Sequence, residues 1–382
     1  MLTKIKIKNF KSIMNETTID LNATGYEILA DTNTYNKTLK GALIVGGNAS
    51  GKSTIIESLR FLLQLLVWQM NVKPTQYICL LPKRKGRMEL GYEFAVNNSN
   101  IIYNIECEVT GISVEKLEVD GKQVLYRTKT SAEYTNSKEE KISIEKLENN
   151  QSALRKIYFD TKFSDNETLK DWFEFLENSV YVNQAHKRAA TSKNFSVNYK
   201  AYFDESGTKE FNEFLEDSNY GQTVEYTNSY ESKNKRVSFS VANNEKDIIF
   251  KRTGVDVAIP MEMESEGNQT LVHLLPNIIR VTKEKGMVII DEFSSAFHNM
   301  LEEKILKMFM QNSKNSQMFI VSHSSNLLTN SLMRPDQIYT VDFIGDEGTR
   351  VTRVSDAQPR EAQNLEKMYL SGVFDGLPNY NK

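Results

Sequence analysis

Residues 45–54 read Val-Gly-Gly-Asn-Ala-Ser-Gly-Lys-Ser-Thr, and the reading of the rest of the chain follows from them. Four residues separate Gly46 from Gly51, Lys52 and Ser53. The apolar run Ala42 to Val45 precedes them, and Ile55, Leu59, Leu62, Leu63 and Leu66 follow at helical spacing. A buried strand, a glycine-rich loop and a helix N-terminus in that order form a P-loop. Gly46, Gly47 and Gly51 let the main chain fold round a triphosphate without Cβ clashes, so that the loop amides and the helix dipole face the phosphates. Lys52 reaches the β and γ oxygens, and Ser53 offers its hydroxyl to Mg²⁺. Asn48, Ser50 and Thr54 complete the expected binding segment. A Gly-Lys-Ser triplet alone also occurs in ordinary turns; here the flanking strand and helix decide the reading.

The chemistry expected beside such a loop appears in the last third of the chain. Met287-Val288-Ile289-Ile290 reads as a fully buried strand and ends in Asp291-Glu292. In a P-loop enzyme the aspartate holds Mg²⁺ and the next glutamate orients the attacking water. A helix follows (Leu301, Ile305, Leu306, Phe309), then a strand over 318–321 leading to Ser322-His323, and a last strand over 337–343. This alternation predicts a parallel sheet covered on both faces. His323 then falls at the edge where open sheets bind ligands, in reach of a γ-phosphate or a water, unless it is a plain surface imidazole. Ser265-Glu266-Gly267-Asn268 opens another helix, carrying Leu271, Leu274, Leu275, Ile278 and Ile279. Such a serine is an N-cap in most proteins, and the same geometry is an anion site.

Elsewhere the patterning is less regular. Lys4 to Lys8 alternate as a half-exposed strand ahead of Asn9-Phe10-Lys11-Ser12. The helix after the loop is expected to run to about Met70. Strands are expected over 88–96, 101–109 and 112–119, and Asp120-Gly121 makes a two-residue hairpin turn into a fourth over 122–126. Residues 127–151 are polar with Lys/Glu runs, which predicts a linker or an exposed helical start. Residues 152–220 read as helical, and 236–242 with 248–252 as a hairpin. We therefore expect two parts of one head, residues 1–127 and 261–382, around an inserted lobe of helices and a β-hairpin over 128–260.

Composition narrows the function classes. The chain has 382 residues, 40% of them hydrophobic, and Lys plus Arg number 47 against 50 Asp plus Glu, so overall charge recruits neither DNA nor an anionic membrane. Nucleic-acid contact would have to come from a local patch. The candidate is Lys83-Arg84-Lys85-Gly86-Arg87, either a backbone-tracking loop or a solvated loop protecting a sheet edge; Lys187-Arg188 is a weaker one. Cys79 and Cys107 have no metal-ligand spacing, and no run of 18 apolar residues occurs. A cytoplasmic protein, with no membrane partner, is the expectation.

The order NFKS (9–12), GGNASGKST (46–54), ESEGNQ (264–269), VIIDE (288–292) and SH (322–323) resembles ABC-type ATPase heads of the RecF, SMC and OLD group. In size and wording the chain is similar to the compact AAA-family ATPases of bacterial phage-defence, or abortive-infection, operons. MEMESEGNQTLVHLLPNII looks like their signature helix, IIDEFSSAFH like their Walker B with D-loop, VSHSSNLL like their switch, and LEKMYLSGVFDGLPNY like their ending. The resemblance implies an α/β P-loop fold of ABC-head type, with a mixed sheet, an antiparallel meander and an inserted, mainly helical lobe. It implies slow hydrolysis of ATP with Mg²⁺, using Lys52, Glu292 and His323 as catalytic residues and Ser53 and Asp291 at the metal, with Lys11 adding to the nucleotide contacts. It implies a homodimer, or a higher even oligomer, in which Ser265 and Gly267 of one copy close on the ATP held by the other. It further implies a separate effector encoded nearby, such as a Toprim or HNH nuclease. The other reading is a RecF-like ATPase clamping DNA in repair or replication. The chain departs from the pattern in a signature without a double glycine and in Asn299, where proline is common. No glutamine-loop residue is assignable from the sequence, Gln76 being the nearest.

Overall fold

A computed structural model of the chain describes residues 1–68, 73–184, 188–191, 198–232, 238–241, 245–295 and 297–377. Met70, His186, Lys187 and Arg236 lie outside them. Two sheets dominate. One has seven strands in the order Arg188–Thr191, Val180–Asn183, Met287–Asp291, Gln317–Ser322, Gly41–Gly46, Ile338–Phe343, Thr349–Arg353. The inner strands run parallel and each outer strand pairs antiparallel. Parallel strands bring like ends together, so Gly46, Asn183, Asp291 and Ser322 finish at one edge.

The inner strands are buried on both faces, which is why they read as continuous apolar runs. Side chains still alternate. Ala42, Ile44, Met287, Ile289, Phe319 and Val321 belong to one core, and Leu43, Val45, Val288, Ile290, Met318 and Ile320 to the other. The first core holds the loop helix Lys52–Leu66, sandwiched between this sheet and the second one, and so apolar on most of its surface. The second core takes the helices Glu266–Glu284 and Asn299–Asn312.

The second sheet is an eight-stranded antiparallel meander: Lys141–Ile144, Ser131–Thr135, Lys122–Thr128, Gly111–Val119, Ser99–Glu108, Met88–Val96, Leu2–Lys8, Thr17–Asp20. Asp120 and Gly121 both have positive φ, 51° and 76°, as the expected tight turn requires. The polar stretch expected to be a linker instead supplies two strands of this sheet. Arg127 explains how: wholly buried, it donates to the carbonyls of Lys129, Glu148 and Gln151 and stands 3.7 Å from Glu115. A charged residue that reads as surface is the bolt holding the returning chain.

Two further expectations are corrected. Asp247–Arg252 pairs with Gln222–Thr227, and Ser238–Ser240 with Ser229–Glu231, so the expected hairpin partners are exchanged. The region expected to be helical has helices at Ala153–Thr161, Glu167–Glu177, Tyr199–Ser206 and Lys209–Asp217, but also the strand Val180–Asn183 inside the parallel sheet. Four residues are too few for periodicity to separate strand from helix. No helix among the described residues is long and apolar enough to cross a membrane.

Candidate functional site

The loop helix starts without a side-chain cap: Gly51, at φ 100°, occupies the N-cap and offers no hydroxyl or carboxylate to the first-turn amides. Apart from Thr54 N–H, which donates to the Gly51 carbonyl at 3.0 Å, those amides are left for something outside the helix. A Cβ on Gly51 would collide with the hydroxyls of Thr349 and Ser12, so only glycine fits. The two hydroxyls are buttresses. Thr349 donates to Ser12 Oγ (2.8 Å) and to the Ser50 carbonyl (2.9 Å), and Ser12 shares a 2.8 Å hydrogen bond with Thr54.

Lys52 is buried, and its ammonium folds back to donate to the carbonyls of Gly46 (2.9 Å) and Gly47 (2.6 Å). Desolvation lowers its pKa to about 8, against the pull of Asp291 and Glu292. Ser53 Oγ donates to Asp291 Oδ1 at 2.9 Å, joining the loop to the strand end. Asn183 and Tyr181, on the neighbouring strand, donate to the other oxygen at 3.4 and 3.5 Å. Burial raises the Asp291 pKa despite the Ser53 hydrogen bond. Glu292 sits at φ 59°, an uncommon conformation for a side chain of its size, and turns into the cleft. His323 enters from the next strand end, its pKa lowered by desolvation and by Lys52.

Gly46, Gly47, Asn48, Gly51, Lys52, Ser53, Thr54, Glu292 and His323 thus open on one cleft of about 1020 Å³. Ser50 lies beneath, its buried hydroxyl without a partner among the described residues. These groups fit a magnesium nucleotide: uncapped amides and a buried ammonium for phosphates, and a hydroxyl with a carboxylate for the cation.

Lys11 does not point there; its ammonium pairs with Glu57 on the loop helix and lies over the Tyr77 ring at 5.6 Å. Gln76 ends an exposed turn, Pro74–Gln76. Ser265 and Gly267 are not brought to the cleft of their own chain. Ser265 is exposed and caps Glu266–Glu284, accepting from Asn268 N–H at 3.3 Å. Two of the four charges of the basic loop are paired, Lys83 with Asp346 and Arg87 with Glu106 and Glu108.

Two residues escaped the sequence reading. Gln184 follows the strand beside Met287–Asp291; its N–H donates to the Asp291 carbonyl (3.2 Å), and its buried carboxamide nitrogen has no partner among the described residues. The signal was present as Val180-Tyr181-Val182 ending in Asn-Gln, but it gains meaning only once that run is known to adjoin the Asp-Glu strand. Glu264, buried, accepts from Arg252 (2.9 Å), from Ser265 N–H (3.0 Å) and from Asn268 (2.7 Å), and so fixes the turn before the helix.

A model of the family described as "AAA domain, putative AbiEii toxin, Type IV TA system" matches residues 42–329. No curated protein matches the chain. Among solved structures, an Smc head bound to the C-winged helix domain of ScpA is 13% identical with TM-score 0.53, covering 92% of this chain and 96% of that one. The Smc head with an extended coiled coil, bound to the C-terminal domain of ScpA, from Pyrococcus furiosus gives 13%, 0.52, 94% and 97%. The SMC head domain from Thermotoga maritima gives 15%, 0.48, 92% and 98%. At these identities the likeness is one of fold, an ABC-ATPase head.

Proposed function

Since the chain belongs to the AAA-domain family described as putative AbiEii toxin, Type IV TA system, we propose that it is an Mg-dependent ATPase whose dimerisation around ATP controls a separate toxic effector in anti-phage defence. One observation carries the nucleotide reading: the 2.9 Å bond from Ser53 to Asp291, which ties a phosphate-binding loop to a strand end from a remote part of the sequence. In this reading Lys52 leaves the carbonyls of Gly46 and Gly47 for the phosphate oxygens. Ser53 and Asp291 hold the magnesium, which when bound offsets charge on the β- and γ-phosphates. Glu292 accepts a proton from the water it orients, and His323 and the Gln184 carboxamide hold that water and the γ-phosphate in line.

Closure by a second copy is supported by the exposed cap at Ser265, whose helix N-terminus has no place in its own cleft. A separate partner is supported by the family's description as a putative toxin of a two-part Type IV TA system and by the Smc heads solved with a bound ScpA domain. Glu292→Gln tests the reading. The variant should bind ATP as tightly as wild type, hydrolyse it at least ~100-fold more slowly, and accumulate an ATP-dependent dimer on a sizing column. Wild-type turnover would remove Glu292 from the chemistry, and a variant monomeric in ATP would remove closure.

A further inference from the structure

The segment 365–377 has no part in the reaction as described, yet it forms the rim of the cleft: Tyr369, Leu370 and Leu377 line it together with the loop, Glu292 and His323. It is docked firmly. The helix Leu365–Leu370 is capped by Asn364, Leu365 and Phe374 are buried, and Thr340 donates to the Phe374 carbonyl. Gly376 has φ 80°, and a Cβ there would press on Thr340 and Val341 at 3.1–3.3 Å, so the segment passes close against the strand beside the loop strand.

Two of its hydrogen bonds end on opposite walls of the cleft. The Gly47 N–H donates to the Gly376 carbonyl at 3.0 Å, and the Tyr369 hydroxyl donates to the same oxygen at 3.0 Å. The peptide that contributes this N–H also contributes the Gly46 carbonyl, which accepts the Lys52 ammonium at 2.9 Å. One peptide plane is therefore held by the segment on one side and seats the lysine on the other. At the opposite wall the Ser325 hydroxyl, two residues past His323, donates to the Glu366 carboxylate at 2.7 Å.

We propose that the segment 365–377 is a strap that sets the spacing between the phosphate loop and the switch, with Tyr369 and Glu366 as its positioning residues. It rests on the nucleotide reading above. A peptide plane is rigid, so a shift of the Gly376 carbonyl turns the Gly46–Gly47 peptide and with it the phosphate loop relative to His323. Misplacement on the scale of an ångström lowers turnover far more than binding, because only the transition state needs both walls in register.

The test uses full-length protein carrying Tyr369→Phe, Glu366→Ala or Glu366→Gln, with folding checked by melting. Amide hydrogen exchange over residues 46–53, without nucleotide, should be at least several-fold faster in Tyr369→Phe, and unchanged exchange would overturn the strap. Steady-state hydrolysis should show kcat about tenfold lower in Tyr369→Phe and Glu366→Ala, with ATP affinity within about threefold of wild type. Glu366→Gln, which keeps an acceptor for Ser325, should recover most of the rate. Wild-type kcat in both variants, or Glu366→Gln as slow as Glu366→Ala, would refute the proposal. Wild-type protein that binds no ATP in calorimetry would defeat the nucleotide reading instead, and the exchange measurement would still decide the strap.

Discussion

At the scale of single residues, Lys52 and Gln184 differ in how they become visible. Lys52 is read directly, because a phosphate loop is contiguous and its spacing is fixed by the geometry of one turn. Replacing it by alanine removes the buried ammonium while leaving a loop held by Thr349 and Ser12. Lys52→Ala should weaken ATP binding at least ~100-fold in calorimetry, in line with the loss of a charge-assisted contact to phosphate; undiminished affinity would detach the cleft from nucleotide. Gln184, Tyr181 and Asn183 reach Asp291 only through strand pairing, and pairing partners are not written locally. If the unpartnered carboxamide of Gln184 orients the water, Gln184→Ala should lower kcat about tenfold with KM near wild type. A rise in KM with unchanged kcat would make it a binding residue.

Elements were legible where their pattern was long or their ends were chemically marked. The strands Met88–Val96 and Met287–Asp291 and the helices on both sides of the parallel sheet followed from periodicity and from Gly, Asp-Gly and Asp-Glu punctuation. The strands Ser131–Thr135 and Lys141–Ile144 did not, since the first is only five residues long and the second, at the sheet edge and mostly exposed, has no buried face to mark it. Their anchor is the Arg127–Glu115 pair, both side chains wholly buried. Arg127→Ala leaves three carbonyls without their donor and the buried Glu115 carboxylate without its countercharge, and should cost about 3–5 kcal/mol in urea unfolding; a loss under 1 kcal/mol would mean the return chain holds itself. A second buried charge sits on helix Asn299–Asn312. Glu302 is fully buried, and desolvation raises its pKa from 4.5 to about 7 against the hydrogen-bonding pull of the Ser294 and Asn326 side chains. A carboxyl whose folded pKa is raised favours the fold when protonated. The penalty is absent below pH 4.5, grows as pH rises towards 7, and is complete above it. Glu302→Gln should therefore match wild type at pH 4.5 and exceed it by on the order of 2–3 kcal/mol at pH 8; an equal gain at both values would exclude titration as the cause.

For the whole molecule, the cleft and the helix cap at Ser265 lie apart in one chain, and a head-to-tail pair would bring them together. Each composite site then takes Lys52 from one copy and Ser265 from the other, which makes a complementation experiment decisive. Ser265→Arg places a bulky cation at the exposed helix cap. It should bind ATP normally but leave its homodimer with both composite sites blocked, while Lys52→Ala should bind ATP at least ~100-fold more weakly. Neither variant alone should hydrolyse ATP. Mixed in equal amounts, a heterodimer has one site with both residues mutated and one with both intact, so activity should return to roughly a quarter of wild type if chains pair at random and each site works alone. If the site were completed within a single chain, the mixture would stay as inactive as its parts, because every chain would carry a lesion in its own pocket.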